Sequence, residues 1–237
     1  MPWLAPYQPL GRKVAREVMA GGTVAQALNL AQVGMPPVVR FVAQSELPEG
    51  VAYEFFIVRT GCVPTRDHPH DLFNGLVWLR FSALKRQLNA LHVQQIESAG
   101  VGRTRGPLRD ALTLFDENAA LLQGPEGLLE ALRRRDWWAL FVAHRAAWAG
   151  ATLTVFGHAL LEKLLQPRKA ITAHVRLVPL PLADAPPADL VRRLIEQPHL
   201  PLPVLGVPGW WAANEDGYFY RDEAVFRPPK NRVATGP

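Results

Sequence analysis

A single cysteine, Cys62, stands among 237 residues, which rules out an intrachain disulfide and any zinc cluster built on several thiolates. That scarcity fits a reducing compartment. The chain also lacks a run of about 18 uncharged apolar residues, the length that a membrane-spanning helix needs. Its longest candidate, residues 146–161, is interrupted by His158 and followed at once by Glu162 and Lys163. The first residues, MPWLAPYQPLGRKVARE, lack the charged start and apolar run of a secretory signal. A cytoplasmic location without membrane contact is therefore the expectation. Charge of one sign is not concentrated anywhere. The net charge is only +5, and Arg103, Arg105, Arg109, Arg133, Arg134, Arg135, Lys163, Arg168 and Lys169 are spread along the chain. A nucleic-acid module gathers such charge on one face, so a solvated basic surface is the simpler reading. Nucleic acid or another anionic partner is the alternative.

What the chain does contain is enough apolar sequence, 49% of residues, to bury a sizeable core at this length. Proline is in excess and gathers at both ends and after Leu177. Residues 1–9 read as an extended arm, followed by helices at 12–19 and 24–31, the second with Thr23 as N-cap. Residues 51–60 (VAYEFFIVRT) are rich in aromatic and β-branched side chains and predict a strand. Helices are expected at 70–81, at 83–98 with Ser82 as cap and Gly100 as stop, at 108–122, from Pro125 to Arg135, and at 137–148 behind Asp136. A further helix begins at Thr152, residues 171–178 alternate as a strand, and a short helix covers 188–196. Asp216–Gly217 suggests a hairpin turn. The sum is an α+β fold, mainly α-helical, with central helices and a few short flanking strands. Residues 1–50 form an N-terminal arm with short helices, 51–227 a single mainly helical domain, and 228–237 a disordered tail.

Four strings carry a resemblance: YEFFIVRTGCVPTRDHPHDLFNGLVW, RGPLRDALTLFDENAALL, FGHALLEKLLQPRKAITAHV and, near the end, PLPVLGVPGWWAANEDGYFYRDEAVFRP. They are similar to a bacterial family catalogued as domain of unknown function 3025. The resemblance covers most of the chain after about residue 51. It implies a bacterial protein of orphan function and brings no activity, cofactor or catalytic residue, so the chemistry has to be read from the residues.

Polar residues in apolar helices point to it. In the segment from His70, the apolar positions leave His70, Asp71, Asn74 and Trp78 as one polar sector. An exposed helix would carry Lys, Glu or Gln there, although a first-turn acid such as Asp71 also suits the helix dipole. The next helix sets Lys85, Asn89 and His92 on one stripe. Asp110, Asp116 and Glu117 lie on a helix that is apolar on its other side, where carboxylates face either water or a metal. FGHALLEKLL is apolar around nearly its whole circumference except for His158 and Glu162, one turn apart. A helix of that kind is buried. Such a pair is either self-satisfied in the core or within reach of one ion. The loop GVGRTRG lacks the spacing and lysine of a phosphate-binding P-loop.

These features converge on an expectation of a metal-dependent hydrolase with a small anionic substrate, a phosphoester favoured. His70, Asp116, His158 and Glu162 are the candidate ligands for zinc, manganese or iron, since mixed nitrogen and oxygen donors suit those ions. Asp71 and Glu117 are the candidates to orient or deprotonate a water. Arg59, Asn74, Lys85 and Arg105 are candidates to bind the substrate. A non-catalytic basic module for nucleic acid or another anion is the second expectation.

Overall fold

The computed structural model describes residues 1–35, 39–99, 106–178 and 186–228. Its elements are α1 (Gln8–Met19), α2 (Val24–Ala31), β1 (Arg40–Ala43), α3 (Tyr53–Thr60), β2 (Cys62–Thr65), α4 (Pro69–Arg80) and α5 (Ser82–Ala99). After these come α6 (Pro107–Asn118), β3 (Ala119–Gln123), α7 (Glu126–Arg134), β4 (Thr152–Val155), α8 (His158–Lys163), β5 (Thr172–Leu177), α9 (Ala188–Glu196) and β6 (Leu200–Pro203). The fold is α+β and mainly α-helical. β1 and β2 form a small parallel pair. The larger sheet has the order β4-β3-β5-β6, with β3 parallel to β5 and antiparallel to β4, and β5 antiparallel to β6.

Local chemistry accounts for many of the element ends. Thr23 caps α2 with a full capping box, its hydroxyl accepting from Gln26 N–H while the Gln26 side chain accepts from Thr23 N–H. Asp136 accepts from Ala139 N–H at 3.0 Å, and the chain continues as a π turn over Ala139–Ala143 and a 3-10 segment over Arg145–Gly150 rather than one regular helix. Ser82 is the first residue of α5 instead of its cap, and Gly100 lies outside the described residues.

Several further sequence expectations are corrected. Residues 51–60 form no strand: α3 spans most of them, and Gly61, at φ 66°, closes the helix with its N–H on the Ile57 carbonyl at 2.8 Å. Tyr53, Phe56 and Ile57 fall at i, i+3 and i+4, which is helical spacing, and that period overrides the β propensity of the individual side chains. The helix expected over 108–122 stops at Asn118, and the buried run AALLQ becomes β3 in the middle of the larger sheet. The helix expected from Thr152 is a strand, β4, followed after Phe156 and Gly157 by the six-residue α8.

The N-terminal arm is no extended arm. Pro2–Tyr7 is a 3-10 turn whose Trp3 and Tyr7 are buried in the same core cluster as Trp78 and Phe156. The Tyr7 hydroxyl donates to the Val155 carbonyl at 2.6 Å, tying the arm to β4. The hairpin expected at Asp216–Gly217 is a pair of 3-10 turns, Ala212–Glu215 and Gly217–Arg221. Trp210 packs against the core and against Trp3, with ring centroids 5.8 Å apart. The expected disordered tail falls on residues of which only Pro228 is described. No helix among the described residues is long and apolar enough to cross a membrane.

β5 carries a pH-sensitive element. The ring of His174 lies 4.1 Å from that of His199 between centroids. Burial, with His199 and Arg176 beside it, holds the His174 pKa down to about 4, and burial also lowers that of His199. Both imidazoles are thus held neutral in the folded chain while the unfolded chain protonates them below about pH 6.5. Their contribution to stability is complete above that pH and is lost as the pH falls from about 6.5 towards 4. Thermal melts at pH 7.5 and pH 5 should show a lower melting temperature at pH 5, with a smaller fall in His174→Asn. An equal fall in the variant would remove His174 as a source of the acid sensitivity.

Candidate functional site

A cavity of about 320 Å³ opens among α3, α4, α5, α6 and the start of α8. α4 supplies one wall. His68 caps it, its Nδ1 accepting from His70 N–H at 3.2 Å, and Pro69 occupies the first turn, where its missing N–H costs nothing. The polar sector foreseen on this helix, His70, Asp71, Asn74 and Trp78, lines the cavity. So do all three residues of the α5 stripe, Lys85, Asn89 and His92. Asp116 and Glu117 come from the last turn of α6, and His158 opens α8.

Lys85 is the best-connected side chain in the cavity wall. Its side chain is only 5% exposed, and its ammonium donates to Asp116 Oδ1 at 2.6 Å, Asp116 Oδ2 at 2.8 Å and Asn74 Oδ1 at 2.9 Å. An ammonium has three protons, and all three have acceptors here. Burial pushes the Asp116 carboxyl up, but Lys85 and His158 outweigh it and hold the acid below the ordinary carboxylate range. Asn74 passes the chain on, its Nδ2 donating to the Tyr53 hydroxyl at 3.0 Å. Burial raises the Tyr53 pKa, so its phenol stays protonated.

Asp71 is committed in the same way. It accepts from the Arg66 main-chain N–H at 2.6 Å, from Arg66 Nε at 3.1 Å and from Arg66 Nη2 at 2.9 Å. Burial again opposes ionisation, and the Arg66 hydrogen bonds bring the net shift below the usual value.

The opposite wall brings two imidazoles nose to nose. His70 Nε2 and His158 Nε2 are 3.1 Å apart, with ring planes at 74°. Glu117 Oε2 lies 3.6 Å from His158 Nε2. One donor atom each from His70, Glu117 and His158 falls within 4.8 Å of the other two. Behind these atoms stand further carboxylates. Glu162 Oε2 is 2.9 Å from His70 Nδ1, and Asp116 Oδ2 is 3.8 Å from His158 Nδ1, which makes no hydrogen bond of good geometry. Burial drives the His158 pKa down to about 4 against the opposing charge of Asp116. The same desolvation pushes Glu117 up. His158 is therefore neutral near pH 7, with one ring nitrogen carrying a lone pair.

The sequence-derived set is thus partly reunited. His70, Asp71, Asn74, Lys85, Asp116, Glu117 and His158 all line one cavity. Glu162 stands behind His70 and bonds it rather than its own helix neighbour His158. Asp116 is taken up by Lys85, and Asp71 by Arg66, so neither oxygen pair is uncommitted. Arg59 is exposed at the end of α3 and lines no part of the cavity, and Arg105 falls outside the described residues. Sequence reading missed Tyr53 and Glu54, which also line it. The strand expected over 51–60 hid them, because in a strand those neighbours point to opposite faces. Arg66 and its pairing to Asp71 carried no pattern that could have flagged them.

A family model described as "Protein of unknown function (DUF3025)" matches residues 39–230. No curated protein and no solved structure matches the chain.

The meeting of α6 and α8 depends on Gly157. Its N–H donates to the Ala119 carbonyl at 2.8 Å. A Cβ on Gly157 would come within 2.6 Å of Asn118 Cα and closer still to the Glu117 carbonyl. Those atoms are backbone and cannot swing aside. Gly157→Ala should therefore destabilise the protein by about 3 kcal/mol or more, the upper end of overpacking costs. Gly150→Ala, where the nearest atom is Pro125 Cγ at 3.8 Å, is the control and should be near neutral. Chemical denaturation of both variants reads the difference, and equal midpoints would mean that this crossing is not tight.

Proposed function

The chain belongs to the DUF3025 family, and from the chemistry of its cavity we propose that it is a metal-dependent hydrolase of a small anionic substrate, a phosphoester in first place. The observation that carries this reading is the approach of two imidazole nitrogens and a carboxylate, from three different elements, to within 4.8 Å of one another. Charge supports it. Glu54, Asp71, Asp116 and Glu117 line the cavity, and Arg66 and Lys85 neutralise Asp71 and Asp116. Glu117 and Glu54 are left without a lysine or arginine partner among the described residues, with Glu162 just behind His70. A divalent cation between the two imidazoles and Glu117 answers that excess.

The residue roles follow. His70, His158 and Glu117 hold the ion, and three protein ligands leave a position open for water and substrate. Glu162 fixes His70 through Nδ1, the carboxylate–histidine arrangement that sets the tautomer and raises the basicity of a ligating imidazole. Asp116 and Glu162, expected from sequence as ligands, act in this reading behind the two histidines. Bound there, the metal supplies a Lewis acid and lowers the pKa of a water towards neutrality. Arg66 binds the anionic group of the substrate: only its Nε and one Nη2 proton are spent on Asp71, and its side chain is 61% exposed at the cavity rim. The basic-module alternative is weakened by internal pairing, since Arg133, Arg134, Arg145, Arg193 and Lys169 each bridge a carboxylate.

Protein purified without an affinity tag and titrated with Zn²⁺ or Mn²⁺ should take up one ion per chain. His70→Ala and His158→Ala should lose most of that affinity, and Glu162→Gln should lose roughly 10- to 100-fold, the usual effect of removing such a supporting carboxylate. The loaded protein should hydrolyse p-nitrophenyl phosphate, and chelation should stop it. Absence of binding, or full loading of the His70→Ala/His158→Ala double variant, would overturn the reading.

A further inference from the structure

We infer that the Tyr53 hydroxyl is a hydrogen-bond donor aimed at an oxyanion of the bound substrate, its direction forced by the chain Lys85–Asn74–Tyr53. This rests on the proposed metal site only for the identity of the neighbouring group. The direction itself comes from hydrogen-bond accounting.

Lys85 can only donate, so the Asn74 atom 2.9 Å from its ammonium must be the amide oxygen. The amide nitrogen then faces Tyr53 and donates to its oxygen at 3.0 Å. A phenol that accepts from Asn74 must turn its own proton elsewhere. Among the described residues the phenol donates no hydrogen bond, and the side chain lines the cavity. A cavity occupant is the partner left to receive it. The partner atom must carry a lone pair, so an ammonium is excluded; a water can fill that place in the substrate-free cavity, and a phosphoryl, carboxylate or carbonyl oxygen of a bound substrate takes it over.

An anion is tolerable there because two of the nearby negative charges are already matched. Asp116 is bound to Lys85 and Asp71 to Arg66. Lys85, the obvious cation for an oxyanion, has no proton left to offer. Its contribution to the ligand passes through Asn74 and emerges at Tyr53. The class selected is an oxyanion-bearing substrate that reaches from the His70–Glu117–His158 cluster to Tyr53.

The chain makes a test in which direction, and not only presence, is altered. Inorganic phosphate binding would be measured by calorimetry on the Zn²⁺-loaded protein, with Zn²⁺ affinity measured separately. Tyr53→Phe should keep the metal affinity and weaken phosphate roughly 10- to 100-fold, the worth of one hydrogen bond to a charged group. Asn74→Asp is nearly isosteric, but both its oxygens accept, so Tyr53 turns its proton to residue 74 and its lone pairs to the ligand. It should weaken phosphate at least as much as Tyr53→Phe. In a Tyr53→Phe background Asn74→Asp should then lose most of its effect, leaving only the added charge, and the double-mutant cycle isolates the reversal.

Unchanged phosphate affinity in Tyr53→Phe, or no phosphate binding by the loaded wild type, overturns the inference while leaving the metal site standing. Strict additivity of the two changes overturns the directional chain. Failure of the wild type to bind metal is a separate result and sinks the hydrolase reading; phosphate binding by the metal-free protein that still falls in Tyr53→Phe would then support Tyr53 alone.

Discussion

Most of the cavity's chemistry follows from one buried cation. Lys85 sits where its ammonium is almost free of water, and it is stable there because Asp116 and Asn74 meet each of its protons. Taking an ammonium out of water costs several kcal/mol, which an opposing carboxylate with good geometry recovers. Removing one partner of such a pair costs about 3–5 kcal/mol, because the survivor is left charged and alone. The pair therefore locks α5 to α6, and through Asn74 it locks both to α4. It also spends the negative charge of Asp116, which leaves Glu117 as the unneutralised acid on α6 beside the histidines.

The two imidazoles show how that electrostatic frame is used. At 3.1 Å between Nε2 atoms, both nitrogens cannot carry protons without repulsion. Burial resolves the conflict by holding His158 neutral, and a neutral imidazole is the form that ligates metals. Carboxylates stand behind both rings, at 2.9 Å for His70 and 3.8 Å for His158. Nitrogen lone pairs can thus face the cavity while negative charge supports them from outside. The geometry of the proposed cation site arises from a helix crossing, since α8 can come this close to α6 only where Gly157 replaces a side chain with hydrogen.

Much of this was legible in the sequence because it depended on helical period. The sector His70, Asp71, Asn74 and Trp78, and the stripe Lys85, Asn89 and His92, could be drawn on wheels, and α4 and α5 turned out to be helices over nearly those spans. The errors came where an apolar run is compatible with more than one period. AALLQ and TLTV continue a helical pattern as well as a strand, and only the pairing of β3 with β4 and β5 decides between them. Reading α8 as part of one long helix gave His158 and Glu162 a shared face. With only six residues in α8, Glu162 instead reaches across to α4, and His70 stands between the two. Tyr53 is hidden because the β-branched and aromatic content of its segment favours a strand while the i, i+3, i+4 spacing favours a helix. Long-range partners such as Arg66 and Asp71 are set by where β2 hands over to α4, and no local pattern encodes that.

A sealed polar core is the rival account of the same residues, and hydrogen-bond satisfaction weighs against it. A core network retained for stability is complete, because a half-satisfied network is worse than an apolar core. Among the described residues His158 Nδ1, His92 Nδ1 and Trp78 Nε1 are buried without a hydrogen bond of good geometry, the nearest carboxylate oxygens standing 3.8 Å from His158 Nδ1 and 4.0 Å from His92 Nδ1, and an unmade bond of this kind costs about 1–3 kcal/mol. Leucine at His158 or His92 would remove that penalty and fill the space. The carboxylates are not sealed either, since Glu162 and Glu117 keep side-chain exposures of 29% and 32%. Deep imidazoles with incomplete bonding, backed by acids that still touch solvent, are a poor way to hold helices together. In the proposed reading they form a wall that a cation and an oxyanion complete.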